Sequence, residues 1–591
     1  MEMPVIDSPA LADPILLERP RSPMPAPPRQ PTVAGEAATA RASRRYSALV
    51  AAGILLSRLA GLVREVVISR YLGTSAAADA FKAALRIPNL LQNLLGEGVL
   101  SASFIPVYSR LRSEGDEREA GRLAGAVAGL LIALTGGLSL AGLVLAEPLA
   151  RVLVTGFEGD ARFDLTVSLV RIMFPGIGFL VLSAWCLGVL NSHKRFFLSY
   201  VAPVLWNAAQ IVAIVAVATS TRDQDSLATA LAWGVLIGGA LQLAVQIGPT
   251  YRLLGRLRLS LATRRPSVRT VLQRFVPVVA GRGVVQIMAF VDLWLATFLA
   301  TGAVASLTYA QVLYLLPISL FGMSVAAAEL PDLSGTEVYD PPTRRLFRRR
   351  LEDGMARIGF YVMPTAALFI AVGDVIVRAL LQRGAFHADD TWLVWLALAA
   401  FATGLPASTS SRLLANGLYA LEDAKTPARL AMIRVVIAAA IGLTLMFPLD
   451  RLTISALGIQ GWDDIWALGP LPESVRDSGE LVHLGIVGLA IGTSVAAWVE
   501  YLMLSRALAW RVGRTRLAGR WLNPIAVSCA LSVLAAYGMV LVIGDELPSI
   551  LTAALVLTPA GLVYLGMTWM LRVPEAVGLV DRVQSLMRIR G

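Results

Sequence analysis

From about residue 46 to about residue 571 the chain repeats one unit, an apolar stretch of roughly 20 residues, long enough as a helix to cross a ~30 Å hydrocarbon core. These stretches lie near 46–72, 86–109, 121–146, 164–190, 198–219, 227–250, 270–300, 304–330, 356–382, 391–418, 428–448, 483–509, 521–543 and 549–571. In lipid every backbone N–H and C=O must be satisfied within the protein, so apolar runs of this length fold as helices. The predicted fold class is an all-α polytopic membrane protein of about 14 transmembrane helices. Composition agrees: 56% of the residues are hydrophobic and only 16% are charged, too few polar groups to cover a water-soluble surface.

Charge tests the count, because Lys and Arg collect in cytoplasmic loops and an even number of spans makes every second loop cytoplasmic. One set of loops holds Arg110, Arg112, Arg118 and Arg122, then His193, Lys194 and Arg195, then Arg252, Arg256, Arg258, Arg264, Arg265 and Arg269. It continues with Arg344, Arg345 and Arg348 to Arg350, with Lys425 and Arg429, and with Arg506, Arg511, Arg514, Arg516 and Arg520. The alternate set is neutral or acidic: Glu147, Glu158 and Asp160 in one loop, Asp223 and Asp225 in the next, no charge over 301–303. The long 449–482 segment has six acids against Arg451 and Arg476. Both termini are therefore expected on the cytoplasmic side of a bacterial inner membrane.

The net charge of +11 is spread over these loops and forms no single basic stripe, which argues against nucleic acid. Residues 1–43, rich in Pro, Ala and Arg, have no apolar run and read as a disordered cytoplasmic tail. Cys186 and Cys529 lie inside apolar runs, and His193, His387 and His483 are scattered, so neither a metal nor any cofactor is expected. The chain has no Walker A sequence and no cluster of carboxylates or histidines at one membrane face. The 449–482 segment is too short to fold by itself, so an enzyme of the bilayer is disfavoured.

Ionisable groups inside a span cost at least ~2.5–3.5 kcal/mol at its centre and need a partner, a hydrated cavity or a function. The first span carries Arg58, Arg64 and Glu65. At 100° per residue Arg58 and Glu65 share a stripe, and a bend at Gly61 would bring Arg64 to the same cavity. Glu65 serves equally well as the plain neutraliser of Arg64 or Arg58. A polar hairpin follows with Asp79, Lys82 and Arg86, then Gln92, Asn93 and Glu97 inside the second span, where Gly96 and Gly98 permit local unwinding. The seventh span holds Arg282 and, ten residues on, Asp292, about 15 Å away at 1.5 Å per residue and so not its partner. Arginines from two or more helices around one cavity suit an anionic head group, because guanidinium grips phosphate bidentately. The candidate cavity residues are Arg58, Arg64, Glu65, Asp79, Glu97 and Arg282.

The run SRLAGLVREVVISRYLGTSAAADAFKAALRIPNLLQNLLGEGVLSASFIPVYS, Ser57 to Ser109, resembles the amino-terminal signature of the MurJ (MviN) lipid II flippases of the multidrug/oligosaccharidyl-lipid/polysaccharide exporter superfamily. MFPGIGFL at 173–180, VLNSHKRF at 189–196, LLQRGAFHADDT at 380–391 and ANGLYALEDAKTPAR at 415–429 are similar too. The resemblance implies two six-helix lobes plus two C-terminal helices: 44–250, 251–509 (with the external loop 449–482), and 510–591 with a cytoplasmic tail. It also implies alternating access for lipid II or a related polyprenyl-pyrophosphate glycolipid, membrane lipids as the other partners, and a monomer. Arg58 and Arg64 occupy the family's arginine positions, and Asp79 and Glu97 match its polar ones. The sequence departs from the pattern at Gln92 and Asn93, where basic residues are usual, and at Gln311 and Val312, where an Asp-Arg pair is usual. Arg282 is expected to restore the missing cationic charge. Three readings stay open: a lipid II flippase, an exporter of another polyprenyl-linked glycan, and a non-transporting scaffold working through its tail.

Overall fold

A computed structural model describes residues 53, 55–255, 257–322, 325, 340–455, 458–462, 469–476, 481–514, 519–544 and 547–590. The 1–43 tail lies outside the described residues. The helices are α1 (55–72), α2 (Ala76–Leu95), α3 (Glu97–Ser103), α4 (Ile105–Ser113), α5 (Glu117–Val144), α6 (Ala146–Leu153) and α7 (Ala161–Ser192). They continue with α8 (Phe196–Ala218), α9 (Gln224–Leu254), α10 (Pro266–Ala296), α11 (Ala303–Pro317), α12 (Pro341–Leu381), α13 (Ala388–Ala420) and α14 (Lys425–Asp450). After the short α15 (Glu473–Arg476) come α16 (Gly485–Val512), α17 (Gly519–Ile543), α18 (Ser549–Met570) and α19 (Pro574–Arg590).

Among the described residues 12 helical segments are long and apolar enough to cross a membrane, one of them the run α2–α4. Helices α1 and α10 stand where the first and seventh spans are expected. Local signals fix many of the starts. Ser75, Asp116 and Asp223 accept the N–H of Ala78, Glu119 and Ser226 at 3.2, 2.9 and 2.9 Å, satisfying donors that a helix start leaves open. Two starts fall earlier than hydropathy alone suggests. α2 begins at Ala76 because Asp79 and Lys82, which look like loop residues, are buried against charged partners. α12 begins at Pro341, where Asp340 and Thr343 form a capping box, so the basic run Arg344 to Arg350 is helical.

Helix α7 packs on α2, α5 and α9, and α8 on α9; further along, α13 packs on α11, α12 and α16, and α14 on α16. The pair α17–α18 leans on α12. Gly488 and Gly492 bring α16 close to α14: an added Cβ would meet the backbone of Leu445 or Gly442 at 2.7 Å. α12 bends at Val372, whose φ of −136° and ψ of 29° leave the helical region. There Trp395 Nε1 donates to the Phe369 carbonyl at 3.1 Å, the acceptor that Gly373 N–H would use in a straight helix.

The described parts of the 449–482 segment fold against the helices. Strands β1 (Thr453–Ser455), β2 (Gly458–Gln460) and β3 (Val482–His483) form an antiparallel sheet in the order β2-β1-β3. His483 Nδ1 donates to the Asp450 carbonyl at 2.6 Å, and the N–H groups of Ala300 and Thr301 donate to Asp450 Oδ2 at 3.3 Å and the Arg476 carbonyl at 3.0 Å. The strands are too short for an alternation in sequence to announce them.

Candidate functional site

Two adjoining cavities share Gln92, Asn93 and Trp206 in their walls. The smaller, about 400 Å³, is lined by Arg64 of α1, Arg86 and Asn89 of α2, and Gln286 and Phe290 of α10. The larger, about 620 Å³, is lined by Ser57, Glu97, Ser101, Ser183, Asn207 and Gln242, with Leu180, Leu187 and Pro203 among its apolar walls. Asn93 Nδ2 donates to Gln286 Oε1 at 3.3 Å, a bond from α2 to α10. The break between α2 and α3 at Gly96 puts Glu97 at a fresh helix start on the cavity wall.

Arg64 is held on two sides. Its Nη2 donates to Glu65 Oε1 at 2.6 Å, its guanidinium lies 5.0 Å over the Trp206 ring, and Glu65 in turn ion-pairs with the buried Lys82. Glu65 is thus the carboxylate that lets two cations lie inside α1 and α2, as the neutraliser reading expects for Arg64; Lys82 is its second partner. Arg58 is exposed, two turns before Glu65. Asp292, which α10 places within electrostatic reach of both Arg86 and Arg434, links the cavity cation to α14, and Arg434 Nη1 donates to Glu500 Oε2 at 2.8 Å.

Asp79 lies away from the cavity walls, in a contact that closes one end of the molecule. Its Oδ2 accepts the Gly302 N–H at 2.7 Å and its Oδ1 the Ala305 N–H at 2.8 Å, capping α11 from another helix. Arg162 Nη1 completes the set at 3.2 Å, with both side chains fully buried. Around it Tyr309 donates to the Gly73 carbonyl at 3.0 Å, the Ala385 N–H to the Arg70 carbonyl at 2.8 Å, and Thr74 to Asp390. Gly73, Gly302 and Gly384 all have positive φ, and a Cβ on any of them would meet backbone oxygen of the facing segment at 2.2, 2.5 and 2.3 Å. The turns involved follow the first, seventh and ninth expected spans, so alternation puts all three on the side opposite the basic loops.

The structure therefore brings Arg64 and Glu97 to the cavity walls, puts Glu65 behind Arg64, and assigns Asp79 to the closed end. Arg282 lies in α10 one turn before Gln286, and its side chain is outside the described residues. Sequence reasoning missed Trp206, Asn207 and Gln242 as wall residues and Arg162 as the partner of Asp79. A signal existed for the amides: Asn207 with Gln210, and Gln242 with Gln246, stand three and four apart inside apolar helices and so share a face. Nothing in sequence points from Arg162 to Asp79.

The family model described as lipid II flippase MurJ matches residues 68–459. A probable lipid II flippase MurJ of Rhizobium tropici is 34% identical over 421 residues, covering 70% of this chain and 78% of its own length. A probable lipid II flippase MurJ of Bdellovibrio bacteriovorus is 32% identical over 517 residues, 84% of this chain and 94% of its own. Among solved structures, a lipid II flippase MurJ in an inward closed conformation superposes with a TM-score of 0.69 at 22% identity, over 89% of this chain and 98% of that one. An inward-facing MATE family transporter of the MOP superfamily gives 0.57 at 14% identity, over 77% and 94%. The family model spans more than half of the chain and both relatives exceed 30% identity, so the chain belongs to the MurJ lipid II flippase family.

Proposed function

We propose that the chain carries lipid II, the polyprenyl-diphosphate-linked peptidoglycan precursor, from the cytoplasmic to the outer leaflet of a bacterial inner membrane by alternating access. The observation that carries this reading is the pairing of a polar cavity holding Arg64 and Arg86 with a closed end built on Asp79. An anionic head group gains from guanidinium in a site shielded from bulk water, while the polyprenyl chain stays in lipid. The basic loops alternate with the turns of the closed end, which supports entry from the cytoplasm and a cytoplasmic position for both termini. Residues 44–250 and 251–509 act as the two moving halves, with 510–591 alongside, and one copy of the chain supplies every cavity wall named above, in keeping with a monomer. Opening the outer side requires the Asp79, Tyr309 and Ala385 hydrogen bonds to break.

The test is replacement. In a bacterium depleted of its own lipid II flippase, this chain restores lipid II to the outer leaflet, and Arg64→Ala or Arg282→Ala abolishes the rescue while the protein remains folded in the membrane. Folded protein with no rescue would overturn the reading. Gln92 and Asn93, neutral on both cavity walls, favour a second reading, the export of another polyprenyl-linked glycan. That reading predicts rescue of a different lipid-linked sugar and none of lipid II.

A further inference from the structure

Helix α18 ends and α19 begins at a turn over 571–573. The Val573 N–H donates to the Thr568 carbonyl at 2.9 Å and the Arg572 N–H to the Trp569 carbonyl at 3.0 Å, so Arg572, with a φ of +54°, is the left-handed residue that closes α18. Glycine is the usual occupant of such a place, because a Cβ there crowds the backbone. Arginine brings a charged side chain to it at a steric cost that glycine avoids.

Beside the turn lies an open cavity of about 760 Å³, lined by Trp569 and Met570 of α18, Arg572, and Val577 and Asp581 of α19 among others. The opposite face of this segment is fixed: Val573 and Ala576 are buried with Phe360, Ile525, Cys529 and Tyr564. At 100° per residue Val577 and Asp581 stand about a quarter of a turn away from that face, towards the cavity. Arg572 and Asp581 are both exposed, and among the described residues neither has an ion-pair or side-chain hydrogen-bond partner.

Charge alternation puts this end of α18 at the cytoplasmic face, and the half-exposed Trp569 in its last turn suits the lipid–water boundary. Towards the hydrocarbon, Leu562 and Leu565 are exposed on the same stripe of α18 as Trp569. A purely anionic head group, such as a diphosphate, gains at Arg572 and loses at Asp581. A zwitterion gains at both.

We propose that this cavity is a site for a zwitterionic amine phospholipid of the cytoplasmic leaflet, with its phosphate at Arg572, its ammonium at Asp581 and an acyl chain along Trp569, Leu565 and Leu562. Such a lipid is a resident of the protein and not its cargo. It tethers α19 to the bilayer whatever the central cavity carries.

Native mass spectrometry of the purified full chain in neutral detergent, with equal amounts of phosphatidylethanolamine and phosphatidylglycerol of the same acyl chains, reads the preference. The wild type should retain phosphatidylethanolamine over phosphatidylglycerol. Asp581→Asn should cut that preference about two- to fivefold, the range for an exposed ion pair, and Arg572→Gly should weaken both lipids by a similar factor. Because Arg572→Gly also relieves the backbone, its thermal midpoint without added lipid should be no lower than that of the wild type, which separates lost binding from unfolding. Phosphatidylglycerol retained by the wild type as well as phosphatidylethanolamine would mean a basic surface only and overturn the site. An unchanged preference in Asp581→Asn, or unchanged binding in Arg572→Gly, would put the lipid elsewhere and overturn it too.

Discussion

Asp79 accepts the backbone N–H of Ala305 at 2.8 Å across 226 positions of sequence, so the first turn of α11 is capped by a residue of α2. Capping within one chain segment is local and cheap to form. A cap supplied from so far away turns the end of a helix into a seam that either holds or lets go.

Asp79→Asn keeps the shape of the side chain and removes its charge, leaving the buried Arg162 facing an amide. Charge-assisted bonds of this kind contribute ~1.5–3 kcal/mol, so the ratio of shut to open seams should fall about ten- to hundredfold. The readout is Ser101→Cys on the cavity wall, labelled in intact cells by a maleimide that does not cross membranes. Labelling should rise sharply with Asp79→Asn, and an unchanged rate would remove Asp79 from the seam.

Gly384→Ala attacks the same seam sterically. Its φ is +64°, and the new Cβ would lie 2.3 Å from the Arg70 carbonyl oxygen. The same labelling should increase. Gly115→Ala is the control, since Gly115 has a φ of +83° and open space around it, so that change brings backbone strain of ~1–2 kcal/mol and no clash. Equal labelling in both variants would mean that strain, and not contact, governs the seam.

Glu65→Gln strips the carboxylate from between Arg64 and Lys82. Removing one partner of a buried ion pair costs on the order of 3–5 kcal/mol, because the other charge is left uncompensated. The thermal midpoint in nanodiscs should drop clearly, and Glu65→Gln with Lys82→Met should recover part of the loss. A double variant no more stable than the single one would show that Lys82 does not depend on Glu65.

His193 sits between α7 and α8, where burial first, and the neighbouring Arg112 second, push its pKa below the usual histidine value. Its Nε2 lies 3.1 Å from the Tyr108 hydroxyl. With the folded value depressed, the unfolded chain binds the proton more readily, so stability is full above the ordinary pKa near 6.5 and declines as pH falls below it. Thermal midpoints measured from pH 7.5 to 5 should fall for the wild type and fall less for His193→Gln.

The spans were legible because lipid leaves an apolar run of this length one option, and each expected span meets a helix. What sequence concealed is pairing at a distance. Asp79 and Lys82 look like residues of a polar hairpin, and only Arg162 and Glu65, in other helices, make them interior. Arg58 and Glu65 share a stripe by period, yet Glu65 turns to Arg64 and Lys82 while Arg58 stays exposed. Cavity amides such as Asn207 and Gln242 were passed over because an uncharged side chain draws less notice in an apolar run than arginine does.

The turn at 300–302 is gripped twice. Asp79 holds Gly302, while Asp450 and Arg476 hold Ala300 and Thr301 through the segment that carries the small sheet. When the seam lets go, the second grip has no reason to break, so the turn travels with that sheet and leaves Asp79 behind. The sheet is thus a handle on the latch. Its edge strand β2 is exposed, and an antibody fragment seated there would bear on the opening of the cavity without ever entering it.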